Sequence, residues 1–205
     1  MSKSRRVAKQ SPVRGTYYVY SDFTDQVAAL ESELELDYFN LLNFERTAST
    51  FIAQPGSVFY DTPNGQRRYS PDFKVVKDGV TYIVEIKEVR EIRNNQRLAD
   101  KFRILKKYFR QRGQVFIVIT DEDIRIGERH HNLNYLNPVL RHPSPISEMD
   151  ELRKALPQVS TANILELQDR LRELGLAPGL CRRAIAHKLM DCDLTQPWES
   201  LQLSW

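Results

Sequence analysis

Residues 70–87 read SPDFKVVKDGVTYIVEIK. Two β-rich runs, at 73–76 and 80–86, flank the tripeptide Lys77-Asp78-Gly79. An Asp-Gly pair between two such runs predicts a β-hairpin with a tight turn. The hairpin indicates a β-sheet near the middle of the chain, and the neighbouring segments are interpreted around it.

Three charged side chains stand at the open end of this hairpin. Asp72 precedes the first strand, and Glu85 and Lys87 end the second. Residues two apart on a strand share a face, so Glu85 and Lys87 should project together while Val84 and Ile86 face a core. Carboxylates bind Mg²⁺, which activates water and stabilises an attacked phosphate, and a lysine can position that water. The pattern indicates a nuclease-type metal site, although acid-x-Lys pairs are also common on solvated strands.

The composition is that of a folded, mildly basic protein. The chain has 205 residues, of which 41% are apolar and 10% aromatic, enough for one large or two small domains. Its net charge of +3 is compatible with a nucleic-acid partner. Two cysteines without metal-type spacing predict a reducing cytoplasm. No apolar run approaches the length of a membrane span, so no membrane partner is expected.

Two basic segments are candidate DNA-binding elements. Residues 1–14 carry five Lys and Arg side chains and no acid, which indicates either a frayed terminus or a flexible arm along phosphates. A helix predicted at 94–112, ended by Gly113, carries a one-sided excess of positive charge. The cations selected as phosphate contacts are Lys3, Arg5, Arg6, Lys9, Arg97, Lys101, Lys106 and Lys107.

The rest of the pattern predicts an α/β domain followed by a helical one. A helix is expected at 25–43, where spacing alone makes Glu35 a solvated residue. Strands are expected at 46–52, 58–60, 67–76 and 114–120, the last wholly apolar at its centre and so buried. Four helices are expected between 130 and 190, and the tail at 194–205 is either a strand of a small wing or a docking peptide.

Three blocks in order resemble the TnsA endonuclease subunit of heteromeric bacterial transposases. They are LESELELDYFNLLNF at 30–44, Gln54-Pro55 with YSPDF at 69–73, and VEIK at 84–87. The likeness covers about residues 27–126. It implies the restriction-endonuclease-like PD-(D/E)xK fold, a mixed sheet flanked by helices, at 15–126, and a small winged-helix-like helical domain at 127–205 for a partner or DNA.

The resemblance also implies one catalytic site. It assigns Glu35, Asp72 and Glu85 to a metal, with the backbone carbonyl of Ile86 as a further ligand, and makes Lys87 the catalytic lysine. The role implied by the resemblance replaces the interpretation of Glu35 as a solvated residue. The implied cofactor is Mg²⁺, with Mn²⁺ as a substitute.

The implied activity is hydrolysis at the 5′ ends of a transposon, which frees the element for cut-and-paste transposition in the bacterial cytoplasm. The implied partners are double-stranded transposon ends, the DDE-type transposase TnsB and the AAA+ regulator TnsC. Some relatives of this compact size belong to transposons targeted by CRISPR guide-RNA complexes. Two alternatives stay open: a stand-alone restriction or repair nuclease of the same fold, and a non-catalytic DNA- or partner-binding module.

Overall fold

The computed structural model describes residues 15–155 and 160–205. Contacts divide the chain into two compact units, the first ending at Ile124 and the second spanning Arg125–Trp205. Residues 1–14, with Lys3, Arg5, Arg6 and Lys9, lie outside the described residues, so the basic arm stays a prediction.

Between residues 15 and 124, the described part of the first unit contains eight strands and four helices. The strands are β1 (Tyr17–Ser21), β2 (Gln26–Leu30), β3 (Thr50–Ala53), β4 (Val58–Thr62), β5 (Gly65–Tyr69), β6 (Phe73–Lys77), β7 (Val80–Lys87) and β8 (Gln114–Thr120). The helices are α1 (Glu33–Glu45), α2 (Val89–Ile92), α3 (Gln96–Arg110) and α4 (Asp121–Ile124).

A four-stranded mixed sheet, in the order β3-β6-β7-β8, forms the centre of this unit. β6 and β7 make the predicted antiparallel hairpin, and both of its turn residues, Asp78 and Gly79, have positive φ, as a tight two-residue turn requires. The apolar strand β8 runs parallel to β7. The predicted mixed sheet is therefore confirmed.

Helices cover both faces of this sheet. On one face, Tyr38 and Phe39 of α1 pack in a core cluster with Phe73, Val84 and Ile86. The other face packs against α3 through a second cluster, whose members include Ile83, Phe102, Leu105, Phe109 and Phe116. Alternation along β7 therefore sends Val84 and Ile86 toward α1, as predicted, and Ile83 and Glu85 toward α3.

Two sequence-based boundaries are wrong. The predicted helix at 25–43 begins only at Glu33, because Gln26–Leu30 is β2, paired with β1 after a turn at Asp25, where φ is +51°. Ser32 caps the helix, its Oγ accepting the Glu35 N–H at 3.1 Å. The predicted single strand at 67–76 is divided into β5 and β6 at Ser70-Pro71, because proline has no N–H for a ladder.

The second unit is mainly helical, as predicted. Its elements are α5 (Arg129–Leu136), α6 (Ile146–Ala155), β9 (Thr161–Asn163), α7 (Ile164–Glu173), α8 (Leu180–Ala186) and β10 (Gln202–Ser204). β9 and β10 pair antiparallel, so the chain's tail forms a strand of a small two-stranded sheet rather than a free docking peptide. Among the residues described in both units, no helix combines the length and apolar character that crossing a membrane requires.

Candidate active site

The β6–β7 hairpin fixes Asp72 at one end of the central sheet. Its backbone N–H donates to the Val84 carbonyl at 3.1 Å, one residue before β6 begins. Its side-chain Oδ2 accepts the Ile86 N–H at 2.7 Å. No donor among the described residues bonds Oδ1. Asp72 is therefore anchored through Oδ2, while Oδ1 has no hydrogen-bond donor within the described part of the chain.

Burial and neighbouring carboxylates make Asp72 hard to ionise. Its pKa is raised to about 7, first by burial and then by the charges of Glu85 and Glu35. The Ile86 N–H and the Lys87 ammonium act in the opposite direction and offset part of the rise. Both predicted glutamates therefore act electrostatically on Asp72, although Glu35 belongs to α1 and Glu85 faces α3.

Glu85 is a buried carboxylate, only 3% exposed, held by three side chains. The Tyr69 hydroxyl donates to Oε2 at 2.7 Å, and the Lys101 ammonium donates to Oε1 at 3.1 Å. Lys87 Nζ lies 3.7 Å from the same Oε1. Lys101 also stands over the Tyr69 ring, 4.9 Å from its centre. A buried charge needs such partners, and these contacts hold Glu85 on the α3 side of the site.

Lys87 lies beside Glu85 at the end of β7, as the alternation predicts. Its Nζ donates to the Ile86 carbonyl at 3.1 Å. The side chain is 28% exposed, so it remains partly accessible to solvent. An ammonium has three donors, and the carbonyl and Glu85 leave it able to bind another acceptor.

Glu35 is buried, which makes its solvated interpretation wrong. Its Oε2 accepts the Glu31 N–H at 3.0 Å and the Gln54 amide at 3.2 Å. Its Oε1 accepts the Ser32 hydroxyl at 3.1 Å. Burial raises its pKa, and these hydrogen bonds offset part of the rise. A glutamate three residues after a serine cap also stabilises a helix start, so Glu35 has a structural role of its own.

Gln54 is a site residue that sequence reasoning missed. It is buried, and its backbone adopts the left-handed conformation with φ of +49°. Its N–H donates to the Asp72 carbonyl at 2.7 Å while its amide reaches Glu35. Gln54 therefore connects Glu35 to Asp72 through two hydrogen bonds. The Gln-Pro pair predicted only a turn, because a turn pattern does not show where a side chain points.

Residues 45–121 match the family model of the TnsA-like endonuclease N-terminal domain. This segment contains Asp72, Glu85, Lys87 and the glutamine that contacts Glu35. The chain carries a TnsA-like endonuclease domain. No curated protein matches the sequence.

Glu35, Asp72 and Glu85 are not arranged as a ready metal-binding cluster. Within residues 15–155 and 160–205, no three His, Cys, Asp or Glu side chains are grouped so that they could hold a metal ion. Glu35 and Glu85 are instead hydrogen-bonded to protein donors. The donor set of carboxylates and a backbone carbonyl is nevertheless the kind that a hard divalent cation takes.

The cations predicted on α3 of the TnsA-like domain lie in different places. Lys101 points into the site and binds Glu85, a role that its position in a basic helix did not indicate. Arg97, one turn earlier, is exposed and lines a groove beside β4 and β5. Lys106 and Lys107 are exposed and do not line that groove. Their contact with phosphate stays a prediction.

Proposed function

We propose that this chain is the metal-dependent DNA endonuclease subunit of a heteromeric transposase, hydrolysing the phosphodiester at the 5′ ends of a transposon. One observation carries the proposal: Asp72, Glu85 and Lys87 meet at one end of the hairpin in a TnsA-like domain, and Glu35 is close enough to raise the Asp72 pKa. Phosphodiester hydrolysis needs positive charge at the scissile phosphate, which divalent ions held by such carboxylates and a neighbouring lysine would supply.

The proposed cofactor is Mg²⁺, with Mn²⁺ as a substitute. Asp72 is its first proposed ligand, because Oδ1 has no protein donor among the described residues while Oδ2 is anchored. Glu35, Glu85 and the Ile86 carbonyl complete the proposed set, once the two glutamates give up their present donors. When bound, such an ion supplies charge neutralisation at the scissile phosphate and a water of lowered pKa.

The chain's own residues position the reactants. Lys87 is partly exposed beside Glu85, so its ammonium can donate to a scissile phosphate oxygen or to the attacking water. Tyr69 and Lys101 hydrogen-bond Glu85 and so reduce the conformational freedom of its carboxylate. Gln54 restrains Glu35 in the same way.

The proposed partners follow from the transposase type. The substrate is double-stranded DNA of the transposon ends, TnsB processes the 3′ ends, and TnsC contacts the assembly in the bacterial cytoplasm. The second unit, Arg125–Trp205, is the proposed contact for a partner or DNA. Choice of the cleavage site is proposed to come largely from these partners, with this chain contacting mainly the phosphate backbone.

The proposal is tested by cleavage of a plasmid that carries the transposon ends. The purified chain together with its DDE-type transposase is expected to nick the 5′ ends in Mg²⁺ and to lose this activity when EDTA removes the ion, since the acids alone cannot neutralise the phosphate. Primer extension maps the nicks. Cleavage by the chain alone would identify a stand-alone nuclease, and cleavage in EDTA would contradict metal dependence.

Glu35→Gln separates the chemical role of Glu35 from its role in capping α1. Glutamine also satisfies a capping box, so the free energy of unfolding should change by less than about 1 kcal/mol. The charge that could bind a cation is lost, so 5′ cleavage should fall by at least about tenfold. Glu33→Gln, on an exposed residue of the same helical turn, is the control. Wild-type cleavage by Glu35→Gln would leave Glu35 with the capping role only.

A further inference from the structure

A second feature of the first unit is an open groove of about 830 Å³ between α3 and the hairpin formed by β4 and β5. Most of the charged residues in its wall are basic. The cations that line it are Arg67, Arg68, Arg97, Lys101 and Arg103. Two of these come from the hairpin and three from the helix, so positive charge faces the groove from both sides.

Little negative charge offsets these cations. Asp100 is the one acid among the residues lining the groove, and it pairs with Arg103 at 2.9 Å. In the part of the chain that the structure describes, no acid lies within 4 Å of Arg67, Arg68 or Arg97. All three are exposed. The groove therefore keeps a strong net positive charge, which suits a polyanion rather than an acidic side chain or a neutral ligand.

Lys101 links the groove to the proposed catalytic carboxylates. Lys101 lines it, and the same ammonium lies 3.1 Å from Glu85 Oε1. Arg97 and Lys101 are four residues apart on α3 and therefore lie on one face of the helix. A chain of phosphates that follows this face toward the sheet would arrive at Glu85 and Asp72.

We propose that this groove binds the phosphate backbone of duplex DNA and directs it to the catalytic carboxylates. The hairpin of β4 and β5 is then a DNA-contacting element, with Arg67 and Arg68 opposite Arg97. Contacts of this kind fix the position of the duplex without reading its sequence. The inference rests on the proposed nuclease function for its substrate, but its own measurement is binding and not cleavage.

The test measures binding of a fluorescein-labelled DNA duplex by fluorescence anisotropy, in EDTA, over a series of salt concentrations. The double variant Arg67→Gln/Arg97→Gln removes one cation from each wall. We expect the affinity at moderate salt to fall by about tenfold for each lost phosphate contact, and the slope of log affinity against log salt to flatten by about two.

The control variant, Lys77→Gln/Arg110→Gln, removes the same charge from two exposed positions of the first unit that do not line the groove. It should bind the duplex nearly as tightly as the wild type. Equal losses of duplex affinity in both variants would show that only net charge matters and would refute the proposed role of the groove. Wild-type affinity of the groove variant would refute it as well. If the groove variant alone loses binding but Asp72→Asn still cleaves, the groove stands and the proposed catalytic site fails.

Discussion

Replacing Asp72 with asparagine is expected to reduce 5′ cleavage of the transposon ends by about a thousandfold or more, the scale seen when a principal charge-stabilising group is lost from an active site. An asparagine oxygen can still accept the Ile86 N–H that Oδ2 accepts at 2.7 Å, so the hairpin end should keep its geometry. The amide has no negative charge with which to bind a divalent ion. The loss should therefore fall on cleavage and not on folding or partner binding.

Asp78→Asn is the matched control for this variant. It makes the same chemical change at the opposite end of the same hairpin, where Asp78 is exposed in the turn and its φ is +51°. Asparagine is well suited to that conformation, so cleavage should remain at the wild-type level. The measurement is the initial rate of nicking with the transposase partner present. Comparable rates for Asp72→Asn and the wild type would refute the assignment of Asp72.

The hairpin and its charged end could be predicted because their signals are local. An Asp-Gly turn sets the register, which pairs Phe73 with Val84, brings Asp72 to the end of β7 that carries Glu85, and leaves Val84 and Ile86 facing the core. The apolar run of β8 likewise predicts a buried strand, and the parallel pairing with β7 agrees with a helical crossover between them. In these segments short-range pattern and tertiary packing favour the same structure.

The side chains that hydrogen-bond Glu35 and Glu85 could not be predicted, because they come from distant parts of the chain. Tyr69 and Lys101 converge on Glu85 only after α3 packs on the sheet, and the basic pattern of α3 predicted phosphate contact for Lys101 instead. Gln54 reaches Glu35 through a left-handed backbone conformation that no periodicity shows. The start of α1 was misplaced for a similar reason, since residues 26–30 pair with β1 rather than continue the helix.

The same Asp72→Asn variant is expected to be more stable than the wild type in metal-free buffer, and only above about pH 4. In the folded protein the pKa of Asp72 is raised to about 7, against about 4 in an unfolded chain. The unfolded state therefore releases this proton more readily, and ionisation opposes folding. Below about pH 4 both states are protonated and no difference is expected. The penalty grows up to about pH 7 and is constant above it, at roughly 2–4 kcal/mol.

Urea unfolding of the wild type and the variant at a series of pH values, with EDTA present, measures this difference directly. The gap between the two curves should open as the pH rises from about 4 to about 7 and should then stay level. Asp78→Asn should show no such opening, because the turn is exposed. Curves that stay parallel at every pH would mean that neither burial nor the charges of Glu85 and Glu35 raise the pKa of Asp72 in the folded protein. A gap that closes when Mg²⁺ replaces EDTA would show the crowded carboxylates taking a cation, since only the wild type gains stability from one.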